Sequence, residues 1–147
     1  MKTLTYRVDV DDDVDYPLAK FTQEVQIYLA DPHGWEAHGY MFVCSPKGDI
    51  RITLASPGTL AKSGCYDGQL SCAEVGGKNM KINAGRWVHG SAKSGLDLED
   101  YRQYVISHEM GHILGHDHVK CSKKGAAAPI MMQQTLGIGE CRPNTRV

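Results

Sequence analysis

One eleven-residue pattern, H-E-x-x-H-x-x-G-x-x-H, constrains this chain more than any other feature. It runs from His108 through Glu109, His112 and Gly115 to His118. Residues four positions apart on a helix share one face, so His108 and His112 can direct both imidazoles at one metal ion. A glycine at this place permits a left-handed turn that ends the helix and returns His118 as a third ligand. Three histidines with an open fourth position are the ligand set of a catalytic zinc site.

The glutamate of the pattern points beside the histidine pair rather than at the metal. From there Glu109 can take a proton from a zinc-activated water and pass it to the leaving group. His116 is an alternative third ligand, but it follows Gly115 directly and would have to reach back across the turn. The prediction is therefore His118. Asp117 has two interpretations: a solvated side chain, or a partner that orients one of the histidines.

The residues before the pattern predict a helix of roughly 97 to 115. Apolar residues and histidines recur at three- and four-residue spacing, which indicates one buried face. That face comprises Leu98, Tyr101, Val105, His108 and His112. Three acidic residues at positions 97, 99 and 100 suit the positive end of the helix dipole.

The extended pattern resembles that of the metzincin metallopeptidases, which place a methionine turn beneath the metal. Residues 128–133, Ala-Pro-Ile-Met-Met-Gln, look like that turn, with Met131 as the turn methionine and Met132 after it. Two adjacent methionines also suit an apolar core. Many metzincins carry a tyrosine after the turn, near the substrate oxyanion. Met132 and Gln133 occupy that region here, so a tyrosine role is not carried over.

Further segments look like a group of bacterial secreted domains of unknown function that carries the metzincin zinc motif. The likeness extends from about 17 to 145. The segments that carry it are 29–35, 83–87, 101–104 and 132–135. Snapalysin-type small bacterial proteases are a looser resemblance, because their third ligand is usually aspartate and this chain has His118.

Length and charge limit the remaining possibilities. A chain of 147 residues predicts a single metallopeptidase-like catalytic domain spanning 1–147. The net charge is −1 and no basic patch favours nucleic acid. No apolar stretch is long enough to span a membrane. An acidic run between positions 9 and 15 is interpreted as a solvated loop or a lead-in to a helix, with calcium binding as the alternative.

Five cysteines in so short a chain favour an oxidising, extracytoplasmic location, secreted or at the cell surface, with a leader absent from this chain. Cys121 and Cys141 bracket the methionine turn, and a bridge between them would be worth roughly 3 kcal/mol in the chain-entropy model. Cys65 and Cys72 enclose a short turn suited to a local bridge. Cys44 is then expected to be a buried free thiol. A cysteine-rich zinc site is the alternative, but the chain lacks a C-x-x-C pair.

The predicted fold class is α+β. Strands are expected at 3–10, 39–44, 49–55 and 78–84, a helix begins at Pro17, and a long loop covers 56–77. The resemblance implies a metzincin-like zinc peptidase domain: a twisted mixed sheet, two main helices and an irregular C-terminal subdomain containing the methionine turn. It also implies that an edge strand pairs with extended substrate, and the segment 78–84 is the expected edge.

Several other aromatic and charged residues are given structural interpretations. Trp35 and Trp87 are expected in the core rather than on a substrate platform. Arg86 is expected to form a buried ion pair with an acidic residue of the zinc helix. The other histidines, at 33, 38 and 89, are read as ordinary loop or surface residues.

The functional prediction is a zinc endopeptidase that binds Zn²⁺ through His108, His112 and His118 and uses Glu109 as general base. Its partner is a peptide or protein substrate, and the chain is expected to act as a monomer. Two alternatives stay open. One is a zinc-binding interaction domain with little or no peptidase activity, and the other is a hydrolase of a non-peptide amide.

Overall fold

A five-stranded mixed sheet forms one layer of the computed structural model, which describes the backbone of residues 1–147 and every side chain except that of Tyr66. The strands are β1 (Lys2–Val10), β2 (Tyr40–Cys44), β3 (Ile50–Ala55), β4 (Cys72–Ala73) and β5 (Asn79–Asn83). Their order is β2-β1-β3-β5-β4, with β4 antiparallel to β5 and the other pairs parallel. This sheet, covered by helices, confirms the predicted fold class.

Four helices accompany the sheet: α1 (Leu18–Leu29), α2 (Pro57–Lys62), α3 (Ala84–His89) and α4 (Leu98–Ile113). The prediction contained α1 and α4 and missed the two six-residue helices. Such short helices are too brief to show a hydrophobic period. They are fixed by caps, since Ser56 Oγ accepts from the Thr59 amide at 3.1 Å and Asn83 Oδ1 accepts from the Arg86 amide at 3.2 Å. Among the described residues, no helix has the length and apolar character needed to cross a bilayer.

The two long helices are joined to each other through a buried tryptophan of α3. Trp87, fully buried, packs edge-on against Phe21 of α1 with ring centroids 5.0 Å apart. Arg102 of α4 donates from Nε to the Trp87 carbonyl at 2.7 Å and pairs with Glu24 of α1 at 3.1 Å. The expected ion pair of Arg86 is wrong, because its Nε donates to the Gln69 carbonyl at 3.0 Å. The partly buried ion pair belongs instead to Arg102 of α4, with Glu24.

Helix α4 is buried on more sides than predicted. All residues from 103 to 113 are buried, whereas Leu98, expected on the buried face, is 38 % exposed. The reason is that α1, the sheet and the C-terminal segment surround the second half of the helix. The two ends agree with the prediction: Asp97 Oδ1 accepts from the Asp100 amide at 2.8 Å, and Gly115 has a left-handed φ of +100°.

The segment 56–77 contains more structure than the predicted loop. Besides α2 it holds strand β4, whose two residues are too few for a pattern to reveal. The expected edge strand at 78–84 is therefore wrong: β5 lies between β3 and β4, and β4 is the edge. This edge runs close to α4, because the Gly76 amide donates to the His112 carbonyl at 2.8 Å.

Beyond residue 118 the chain has little regular structure, as expected, apart from a 3₁₀ turn at Gln134–Leu136. Disulfide Cys121–Cys141 joins its two ends, and the Gly125 amide donates to the Glu140 carbonyl at 2.8 Å beside it. Disulfide Cys65–Cys72 joins the turn after α2 to the edge strand. Both expected bridges are present, and Cys44 is free and half-buried.

We expect the Cys121–Cys141 disulfide to contribute more stability than Cys65–Cys72. The bridges span 20 and 7 residues, so the chain-entropy model gives about 3 and about 2 kcal/mol. Urea unfolding of the Cys121→Ser/Cys141→Ser and Cys65→Ser/Cys72→Ser variants measures the difference. The control Cys44→Ala should stay close to wild type. A larger loss from the Cys65–Cys72 deletion would contradict this ranking.

Candidate metal centre

Three histidines converge at the C-terminal end of α4. His108 and His112 lie one helical turn apart with rings perpendicular and centroids 5.0 Å apart. The turn at Gly115 brings His118 back, so that its Nε2 lies 3.0 Å from that of His112. One ligand atom from each histidine lies within 4.8 Å of the others. Among the described side chains, these three form the one group of His, Cys, Asp and Glu residues with metal-ligand spacing, and the acidic run at 9–15 forms none.

The neighbouring His116 lies outside this group. Its ring stacks on Trp35 with centroids 4.9 Å apart and an interplanar angle of 19°. Its backbone, by contrast, reaches the site, because the His116 carbonyl accepts from Nδ1 of His112 at 2.8 Å. The geometry therefore distinguishes the two candidates for third ligand: the His118 imidazole faces the other histidines and the His116 imidazole does not.

Backbone carbonyls fix the tautomers of the two helical histidines. Nδ1 of His108 bonds to the Ile130 carbonyl at 2.7 Å, and Nδ1 of His112 bonds to the His116 carbonyl at 2.8 Å. Because a carbonyl only accepts, each Nδ1 must carry the proton, which leaves the Nε2 lone pair free in the neutral ring. Nε2 of His108 is buried and has no hydrogen-bond partner among the described side chains and backbone.

Burial favours the neutral imidazoles of His108 and His118 by lowering their pKa values. It lowers the pKa of His108 to about 3, and the neighbouring histidines act in the same direction against the Ile130 carbonyl. Burial and His112 also lower the pKa of His118, while Asp117 opposes that shift. A neutral imidazole is the form that binds a metal.

Glu109 is buried beside the triad without a compensating charge. In the part of the chain that the structure describes, its Oε2 has no hydrogen-bond partner, and burial raises the pKa of its carboxyl to about 8. A buried carboxyl with a strongly raised pKa in a cavity is typical of a functional site. In the metal-free chain Glu109 is therefore mostly protonated at neutral pH, and a cation held by the histidines would favour the carboxylate.

The methionine-containing turn lies under the triad, in the place that its sequence predicts. The sulfur of Met131 packs at Gly111, between the two helical histidines. The Met131 carbonyl accepts from the Val119 amide at 3.1 Å, beside the third histidine. The turn therefore touches both the helix and the returning chain, and Met131 itself is buried.

Tyr104, which the sequence analysis did not single out, ties this turn to α4. Its hydroxyl donates to the Met132 carbonyl and accepts from the Gln134 amide, both at 2.9 Å, so it holds the backbone on either side of Gln133. Tyr104 lies one helical turn before His108, and its ring packs 5.2 Å from that imidazole. The position of Tyr104 in the helix was the available signal for this role in the sequence. The role itself could not be read from it, because the partner atoms lie 28 and 30 residues away.

A cavity of about 170 Å³ opens at the triad. Its walls include Glu109, His112 and His118, the edge strand β4, and Gln133 from the segment after Met131. Asp117 lines the cavity as well, yet no hydrogen bond joins it to a described histidine side chain. A larger cavity of about 720 Å³ also borders His118, between 115–119 and 127–131.

These residues fit a zinc ion. Two Nε2 lone pairs are free by tautomer, a third imidazole faces them, and the buried Nε2 of His108 lacks any other partner. Three nitrogen donors without a fourth protein ligand suit a catalytic zinc site.

Comparison with known proteins places the chain in one sequence family. Residues 1–143 match the family described as "Protein of unknown function (DUF3152)", and the chain belongs to it. No curated protein sequence matches. Among solved structures, archaemetzincin from Archaeoglobus fulgidus is similar at 18% identity and a TM-score of 0.43, covering 95% of this chain and 96% of that one.

Myroilysin is also similar at 18% identity, with a TM-score of 0.41 over 80% of this chain. The match covers 49% of myroilysin, so this chain corresponds to about half of that protein. Both TM-scores lie below 0.5, and the functional proposal therefore depends on this chain's own residues.

We expect the stability of the metal-free protein to fall as the pH rises from 6.5 to 8. The folded-state pKa of Glu109 is raised from 4.5 to about 8. The contribution of this carboxyl to the free energy of unfolding is therefore complete below pH 4.5 and is lost as the pH rises to 8. The pKa of His108 is lowered, so its contribution is lost only below pH 6.5. At about 1.4 kcal/mol per pH unit the expected loss is about 2 kcal/mol.

Urea unfolding at several pH values in the presence of EDTA measures this loss. Glu109→Gln, which cannot titrate, should remove most of the slope between pH 6.5 and 8. A wild-type slope that persists in Glu109→Gln would show that another group causes it.

Proposed function

We propose that this protein is a zinc-dependent endopeptidase of the metzincin type. The observation that carries the proposal is the pairing of two features side by side: three convergent imidazoles, and a buried glutamate whose Oε2 has no partner among the described residues. A purely structural zinc site is closed by four protein ligands and needs no buried base. The resemblance of the eleven-residue pattern and the methionine turn to metzincins supports the same conclusion.

Each residue has a defined role in this proposal. A zinc ion at the triad would polarise the scissile carbonyl and make water a stronger nucleophile. His108, His112 and His118 would hold the ion, with His108 oriented by the Ile130 carbonyl and His112 by the His116 carbonyl. Glu109 accepts a proton from the attacking water and delivers it to the leaving amine.

The cleft walls suggest how a peptide is held. Strand β4 is the edge of the sheet and lines the cavity, so an extended substrate can add to it through main-chain hydrogen bonds. Gln133 also lines the cavity, and it follows the methionine turn in the region where many metzincins carry a tyrosine. Among the described residues its carboxamide makes no hydrogen bond, so it is available to the substrate carbonyl.

The proposed location is extracytoplasmic. Two disulfides are typical of secreted or cell-surface proteins, because cytosolic thiols are kept reduced. The proposed substrate is a peptide or a protein. We propose that the chain acts as a monomer.

A zinc-binding domain without peptidase activity is the second candidate. It is favoured by the absence, at Met132–Gln133, of the tyrosine that many metzincins use. Hydrolysis of a non-peptide amide would use the same zinc and Glu109 and differs only in substrate.

We expect purified, zinc-loaded protein to cleave members of a quenched-fluorescent peptide library. Cleavage should stop with 1,10-phenanthroline and return when zinc is added. Glu109→Gln should lower kcat/KM by about 10²- to 10⁴-fold, the usual contribution of a general base, while zinc remains bound. Wild-type turnover by Glu109→Gln would remove the glutamate from the mechanism. Absence of cleavage by folded, zinc-loaded protein would favour a binding role or a non-peptide amide.

Zinc affinity should separate the two candidates for third ligand. A zinc site with four protein ligands binds the ion with a free energy of about 10–16 kcal/mol. Loss of one of those ligands therefore weakens zinc affinity by about 100-fold or more. We expect that loss for His118→Ala and a smaller loss, about tenfold, for His116→Ala, whose carbonyl remains. His89→Ala, outside the site, is the control and should bind as wild type. A larger loss at position 116 than at 118 would reverse the assignment.

A further inference from the structure

Trp35 lies against the backbone that carries the ligands. It begins the 3₁₀ turn Trp35–His38, and its side chain is 7 % exposed. Its indole Nε1 donates to the Ser107 carbonyl at 2.7 Å, across 72 residues of sequence. Ser107 directly precedes His108, so this hydrogen bond attaches the indole to the first ligand's position on the helix.

The indole also packs where α4 has no side chain. A Cβ at Gly111 would lie 2.8 Å from Cζ2 of Trp35 and would collide with the sulfur of Met131. Gly111 therefore lets the indole and the methionine approach the helix immediately before His112. Its carbonyl accepts from the His116 amide at 2.9 Å, which fixes the start of the returning chain.

The same ring contacts the returning chain directly. Trp35 stacks on the His116 imidazole at 4.9 Å. The His116 carbonyl in turn accepts from Nδ1 of His112 at 2.8 Å, and the chain reaches the third histidine two residues later. The Trp35 side chain thus contacts α4 at two places, Ser107 before His108 and Gly111 before His112. It also contacts His116, whose carbonyl orients His112.

We propose that Trp35 is a positioning residue of the metal centre: it holds His116 by stacking, so that the His116 carbonyl orients His112 and the returning chain presents His118. This inference rests on the proposed zinc site. A tryptophan with only a core role would stabilise the fold. The role proposed for Trp35 is different, because it sets the geometry of metal ligands that it does not touch. Groups that orient metal-ligating histidines typically contribute 10- to 100-fold in metal affinity.

The test is the dissociation constant for Zn²⁺, measured by competition with a chromophoric chelator, together with the visible absorption spectrum of the Co²⁺ form. Trp35→Ala should weaken Zn²⁺ binding by about 10- to 100-fold and change the Co²⁺ spectrum. Trp35→Phe, which keeps a ring for the stack but lacks the N–H group, should recover most of the affinity. His38 is the control: its ring centroid lies 5.7 Å from that of Trp35, but His38 is not one of the three converging histidines. The His38→Ala variant should bind Zn²⁺ with wild-type affinity.

A double-mutant comparison distinguishes positioning from general destabilisation. Because Trp35 is proposed to act through His116, Trp35→Ala/His116→Ala should bind Zn²⁺ within about twofold of Trp35→Ala. Fully additive losses, or wild-type affinity in folded Trp35→Ala, would overturn the inference. If Trp35→Ala does not fold, Trp35→Phe and His116→Ala are measured in its place. Wild-type Zn²⁺ affinity and an unchanged Co²⁺ spectrum in His116→Ala would then equally refute the inference. Failure of the wild-type protein to bind Zn²⁺ would instead refute the proposed function, and this inference with it.

Discussion

The hydrogen bonds from two imidazole Nδ1 atoms to backbone carbonyls are the interactions on which the rest of the site depends. They fix the tautomers of His108 and His112 and leave both Nε2 lone pairs directed toward the third histidine. Both accepting carbonyls belong to the irregular chain after α4, at Ile130 and His116. The helix alone therefore does not make the centre; it requires the C-terminal segment to lie beneath it at hydrogen-bonding distance.

That requirement explains why a segment with almost no regular structure is held so firmly. Disulfide Cys121–Cys141 closes it. From α4, Tyr104 bonds the backbone at Met132 and Gln134, and Tyr101 bonds the hydroxyl of Thr135. Each of these links restricts a chain that lacks helix or strand hydrogen bonds of its own. Ordering this segment costs conformational entropy, and these covalent and buried contacts offset that cost.

The sequence predicted the parts of the molecule that local rules determine. The acidic start of α4, the left-handed Gly115, the strands β1, β2, β3 and β5 and the spacing of His108 and His112 all follow from short-range geometry. It failed where a feature depends on distant partners or is too short to show a period. Strand β4 and helices α2 and α3 are examples of the second kind. The contact of Trp35 with Gly111 is an example of the first, because 76 positions separate 35 from 111 and nothing in either neighbourhood signals the other.

The most direct test of the central claim is a crystal structure of the zinc-soaked protein with anomalous scattering measured on both sides of the zinc edge. We expect one zinc peak bonded to Nε2 of His108, His112 and His118 at about 2.0–2.1 Å, with a fourth position not filled by a protein atom. The Glu109 carboxylate should lie close to that open position without ligating the metal. A zinc ion closed by four protein ligands, or one held by His116 or Glu109, would contradict the proposed catalytic centre.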